Sequence, residues 1–216
     1  NSKYEKENKE FYDDLKEQLS SKDGYKADQI TTDNYEGKYV TMVAFLSSVS
    51  HNDWMDAAVA HQKEAYPNME LIPEERLECE DNMNMAYEKA KEIIKKYPDI
   101  KGFLGASIYD TPGAAKAIDE LGMTGQIFAV GTGVASVSGP YLESGSNPCV
   151  LCWDPALSGK AMCQLAGMVL NGEKDKIQTG LDLGIDGYNS VNVNGTDISG
   201  NAILVINKDN MSEYKF

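Results

Sequence analysis

The residues best equipped for chemistry in this chain gather at four points, each just after a short apolar run. The first is Ser50-His51-Asn52-Asp53-Trp54, where hydroxyl, imidazole, amide and carboxylate stand beside an indole. That mixture suits a ligand with hydroxyls on its edge and an apolar face that a ring can cover. Its structural alternative is a polar turn, with Asn52 or Asp53 capping a helix and Trp54 in the core. The second point is Ser107-Ile108-Tyr109-Asp110-Thr111, in which Asp110 either faces a ligand or complements the dipole of a helix capped by Thr111. The third, Gly131-Thr132-Gly133-Val134-Ala135-Ser136, imitates a dinucleotide fingerprint but has Ser136 where the third glycine belongs, leaving Thr132 as its polar contribution. The fourth is Trp153-Asp154-Pro155, an aromatic plane beside a carboxylate that can accept two hydroxyl bonds; Asp154 is equally suited to cap a helix whose first residue is Pro155.

Other chemistries lack their residues. No G-x-S-x-G elbow exists for a serine nucleophile, and His61 falls inside a helical stretch. No pair of carboxylates stands out by spacing for glycoside hydrolysis. Cys149 and Cys152 have the spacing of a redox or zinc pair. They sit within an apolar run that reads as a strand, where residues three apart point to opposite faces, and zinc would need more than His51 and His61 nearby. Buried structural thiols are the expectation, with no metal and no cofactor. The 34 acidic residues against 20 basic ones leave a formal charge of -14, and Arg76 is the single arginine. A field of that sign repels polyanions, so nucleic acid is not an expected partner.

The elements that must position these groups follow from periodicity. Residues 3–20 form an amphipathic helix, with Phe11, Leu15 and Leu19 on one stripe. Strand, polar loop and helix then alternate. Strand 39–46 leads through loop 47–53 to helix 54–66, strand 69–72 precedes helix 82–96, and strand 102–106 leads through loop 107–111 to a helix from Pro112. Strand 126–131 is followed by loop 132–138 and a short helix that starts over 139–142, and the strand from Cys149 leads to helix 156–170, closed by Asn171-Gly172. Glycine-punctuated hairpins finish the chain, with strand 202–206 last. Serial strand-loop-helix units imply an α/β doubly wound parallel sheet, in which ligands bind beyond the strand carboxyl ends. All four polar loops lie at that edge.

The loops Ser47-Ser48 to Asn52-Asp53-Trp54 and Trp153-Asp154-Pro155, with the ending Ile206 to Phe216, resemble the type I periplasmic binding proteins that serve ABC sugar importers. The nearest branch contains the autoinducer-2-binding and rhamnose-binding proteins. The resemblance runs from Tyr39 to Phe216, and helix 3–20 fits the first helix of the family's C-terminal lobe. It implies that residues 1–154 are that lobe, that 155–187 cross to an N-terminal lobe largely missing here, and that 188–216 return. Asn52 matches the family's ligand loop loosely, Trp54 well, and Trp153-Asp154 without change. His51 replaces the usual Gln, Ser50 an Asp of the autoinducer branch, and Ala106-Ser107-Ile108 that branch's Pro-Asp-Ala.

These departures favour a sugar or sugar-like polyol over autoinducer-2. The implied function is that of an extracytoplasmic binding protein, periplasmic or a cell-surface lipoprotein, that hands its ligand to an ABC permease and is not an enzyme. An autoinducer-2 receptor is one alternative. A LacI-type regulator's effector domain is another, and would need an upstream helix-turn-helix that residues 1–20 do not resemble. The apolar residues of helix 156–170 predict cover by a second chain, in a homodimer or a swapped assembly.

Overall fold

A computed structural model describes residues 36–216, so helix 3–20 lies outside the described residues. The first strand is β1 (Gly37–Val43), and helix α1 (Val49–Ala65) follows it. The short strands β2 (Met69–Leu71) and β3 (Leu77–Glu78) precede α2 (Met83–Lys96). Then come β4 (Ile100–Gly105), α3 (Asp110–Glu120), β5 (Phe128–Thr132) and α4 (Ala135–Ser144). Strand β6 (Cys149–Cys152) leads into α5 (Pro155–Leu170). The hairpin of β7 (Asn192–Asn194) and β8 (Asp197–Ser199) precedes the last strand, β9 (Leu204–Asn207).

Strands run in the order β2-β1-β4-β5-β6-β9, parallel except for β9, which pairs antiparallel with β6. β3 also pairs parallel with β1, further along it than β2, so the two short strands share one flank of β1. The order reverses between β1 and β4. That reversal opens a crevice at the carboxyl ends of those two strands, because their following helices leave to opposite faces of the sheet. Alternation in β1 sets up the two faces. Val40 and Met42 join Phe103, Ile93, Ile94 and Ile118 in the main core under α2 and α3, whereas Val43 packs with Met55 of α1 and Ala106. Tyr39, on the α1 side, donates its hydroxyl to Gln62 at 2.9 Å.

Helix starts depart from the sequence reading in three places. α1 begins at Val49, so residues 50–53 are helical rather than loop; Ser48 holds the N-cap position without a side-chain cap bond. α3 begins at Asp110 rather than Pro112, and Thr111 lies inside it. α4 begins at Ala135 rather than Gly139 and runs to Ser144, with Pro140 tolerated inside it. In all three the opening turn is polar or small, so apolar periodicity starts a turn too late. The Asp154 cap agrees with expectation: its carboxylate accepts from Ala156 at 2.7 Å and Leu157 at 3.2 Å ahead of Pro155. Asn82, which the sequence reading placed only as the start of a helix, caps α2 by accepting from Asn84 and Met85.

α5 leaves the main sheet. Its Ala161, Leu165 and Met168 pack with Leu183, Val191 and Val193 in a separate small cluster, and the chain rejoins the sheet at β9. Met162, Val169 and Leu170 stay exposed on α5. Among the described residues no helix is long and apolar enough to cross a membrane.

Candidate functional site

A cleft of about 270 Å³ occupies the crevice between the ends of β1 and β4. Six of the residues singled out by sequence line it: His51, Trp54, Ser107, Ile108, Thr132 and Trp153. Trp54 comes from α1 and Trp153 from the end of β6, and their rings meet edge to face with centroids 6.2 Å apart at 74°. Both indoles stand at the mouth, 41% and 45% exposed, so Trp54 is not the core residue its structural alternative required. The His51 ring tilts against Trp54 at 5.5 Å. Its Nδ1 accepts the Ala44 N–H at 3.3 Å, which places the proton of the neutral ring on Nε2 and leaves that N–H as a donor.

The other candidates do different work. Asn52 Nδ2 donates to Ser48 O at 2.7 Å and to Leu46 O at 3.0 Å, while its Oδ1 accepts from Arg76 at 2.7 Å. Arg76 also reaches Asp56 at 2.6 Å and Thr41 at 3.3 Å, so the single arginine ties α1 to β1. Ser50 and Asp53 are exposed on α1 outside the cleft, and Asp154 is engaged as a cap. Tyr109 is half-buried and does not line the cleft. A larger groove of about 530 Å³ runs along the β2 edge past Gln62, Pro67 and Glu74; it has no aromatic wall and lies away from the strand carboxyl ends.

Asp110 is buried beneath the cleft floor. Its Oδ2 accepts the Ser107 N–H at 2.8 Å, and Ser107 Oγ accepts from the Tyr109 N–H at 3.2 Å. Together these bonds close the turn Ser107-Ile108-Tyr109-Asp110 that leads into α3, whose N-cap position is held by Tyr109. Thr111 Oγ1 donates to Thr132 O at 3.1 Å, pinning the first turn of α3 to the end of β5. Burial pushes the Asp110 carboxyl up to about 6, opposed by the Ser107 N–H that favours the charged form.

Sequence reading missed Asp81, which also lines the cleft with Phe45. The chain beyond β3 continues along β1, with Cys79 N–H on Val43 O at 2.9 Å and Glu80 N–H on Ala44 O at 2.7 Å. Glu80 and Asp81 then turn through left-handed conformations, φ 50° and 52°. The Ser107 hydroxyl donates to Asp81. A signal existed in Asp81-Asn82 just ahead of an apolar helical run, but it reads as a cap alone.

The Gly131-Thr132-Gly133 motif is explained by packing. A Cβ on Gly131 would meet Gly105 O at 2.0 Å, and one on Gly133 would meet Val150 at 2.5 Å. Cys149 and Cys152 take opposite sides of β6, and burial raises both thiols. All four cysteines are free, and the described residues contain no cluster of three or more His, Cys, Asp or Glu able to hold a metal ion.

Residues 12–174 match the family described as the periplasmic binding protein domain. The chain belongs to this family. Solved structures agree on the type I periplasmic binding protein fold. LsrB from Clostridium saccharobutylicum in complex with AI-2 superposes with a TM-score of 0.70 at 19% identity, over 94% of this chain and 66% of that one. A solute-binding protein of an ABC transporter from Clostridium phytofermentas, with bound L-rhamnose, gives 0.69 at 18%, over 94% and 63%. A sugar ABC transporter protein from Actinomyces odontolyticus gives 0.69 at 16%, over 93% and 61%. This periplasmic binding protein domain therefore spans less than two thirds of the length of these structures.

Proposed function

We propose that this chain is the ligand-binding part of an extracytoplasmic solute-binding protein that captures a sugar or sugar-like polyol for an ABC importer and makes or breaks no bond. One observation carries the reading: two indoles meet edge to face over the switch-point cleft, beside hydroxyl, imidazole and carboxylate groups. Indole faces cover the C–H face of a sugar while the polar groups take its hydroxyls. The ligands in the AI-2 and L-rhamnose structures support this class. An ABC permease is the partner the reading requires, and the division into a lobe over 1–154 and a departing segment from 155 belongs to the same proposal.

Trp54 and Trp153 are the only tryptophans in the chain, so its intrinsic indole fluorescence reports on this cleft alone. Titration with a panel of monosaccharides and AI-2 will identify at least one ligand. Trp153→Ala will weaken it about tenfold, equal to about 1.4 kcal/mol, while Trp153→Phe will retain most of the affinity. Equal affinity in the alanine variant would remove the indole pair from the site.

We further infer that a second copy covers the exposed α5 face of Met162, Val169 and Leu170. Cys163 lies exposed at the edge of that face, and the other three cysteines are wholly or partly buried. In dilute protein one thiol will react rapidly with an aromatic disulfide reagent, and its rate will fall as protein concentration rises. A rate independent of concentration would contradict that cover.

A further inference from the structure

Asp81 is the only carboxylate among the cleft-lining residues, and no lysine or arginine lines the cleft with it. Among the described residues Asp81 has no ion-pair partner; its one side-chain bond comes from the neutral Ser107 hydroxyl. The lone guanidinium of the chain is held away by Asn52 and Asp56. Holding Glu80 and Asp81 in consecutive left-handed conformations costs free energy, and such outliers persist where the surroundings impose them, commonly at ligand sites. Here the bonds of Cys79 and Glu80 to the end of β1 impose it and bring the Asp81 carboxylate to the cleft wall. Trp54, Trp153 and Phe45 add ring faces that attract a cation. The net charge of -14 draws cations toward the chain and turns anions away.

We infer that Asp81 sets the charge preference of the cleft, which takes an amine-bearing polyol, in simplest form a protonated amino sugar, ahead of a neutral one and rejects acidic or phosphorylated sugars. This rests on the reading of the cleft as a sugar site and names its ligand class. The ammonium sits against the Asp81 carboxylate and the indole faces, while Ser107, Thr132 and His51 remain for hydroxyls. An anionic sugar would bring its charge against Asp81 with no compensating cation in the wall.

The test is indole fluorescence titration of the full chain at about pH 7 with D-glucose, D-glucosamine, N-acetyl-D-glucosamine, D-glucuronate and glucose 6-phosphate. Glucosamine will bind about three- to fivefold tighter than glucose and its neutral N-acetyl derivative, the range of an exposed ion pair, and the two anions will bind weakest. High salt will narrow the spread. Asp81→Asn keeps an acceptor for the Ser107 hydroxyl and a residue type that tolerates the left-handed region, so the fold is retained. It will bring glucosamine to the level of glucose and lift the anions toward it. Equal binding of glucose and glucosamine, or an unchanged ratio in Asp81→Asn, overturns the assignment and leaves the sugar site standing. Failure of every probe to bind counts against the sugar reading of the cleft, and this inference falls with it.

Discussion

Alanine at Gly131 will destabilise the chain by about 3 kcal/mol or more, a loss on the scale of a core cavity rather than of a turn. Gly131 has φ 138°, a region essentially closed to residues with a Cβ, and it lies opposite Gly105 in the β4–β5 ladder. The added carbon would stand 2.0 Å from the Gly105 carbonyl oxygen and 2.8 Å from its nitrogen. Both obstacles are backbone in the middle of the sheet, so no side chain can swing aside. Relief must come from separating the two strands at their carboxyl ends, where Ser107 and Thr132 line the cleft. Gly125 is the control. It has φ 81°, but a Cβ there would meet nothing within 4 Å, so Gly125→Ala will cost only about 1 kcal/mol of left-handed strain. Urea denaturation of both variants decides the matter, and equal losses would refute the close approach.

Asp110 will make the chain lose stability as pH rises from about 4 to about 6. Its carboxyl is raised from an ordinary value of 3.8 to about 6 by burial, so across that window the folded state binds more protons than the unfolded one. A raised acid therefore stabilises the fold below its unfolded value and loses that contribution as pH climbs through the folded value. The full swing is about 3 kcal/mol. Asp110→Asn retains an oxygen to accept the Ser107 N–H and removes the buried charge. Its stability will match the parent near pH 4 and exceed it near pH 8, by urea midpoints at each pH. Parallel curves for the two proteins would show that burial does not raise the Asp110 carboxyl above its unfolded value. The titratable neighbours are Cys79, whose thiol burial pushes well up, and Asp81, whose negative charge adds to the rise.

Local residue chemistry determined a good part of this molecule in advance. Alternating apolar runs and polar turns specified the parallel α/β sheet, and Asp154-Pro155 announced its helix start because a cap is a bond between near neighbours. The loop edge followed from the same order, since every strand of a parallel sheet delivers its loop to one side. Which residues of that edge face the cleft was decided by tertiary structure. Asn52 looked like a binding amide, yet Arg76, 24 residues away, claims its oxygen, a pairing that exists only once β3 and α1 lie against β1. Asp110 looked like a loop carboxylate and is sealed beneath the floor by the close approach of β4 and α3. Asp81 carried no signal beyond a cap and reaches the cleft because the chain after β3 runs beside the end of β1. The indole pair came partly from each side: both residues were marked by their neighbours, but 99 positions separate them, and their 6.2 Å approach depends on a sheet that brings the ends of β1 and β6 to one edge.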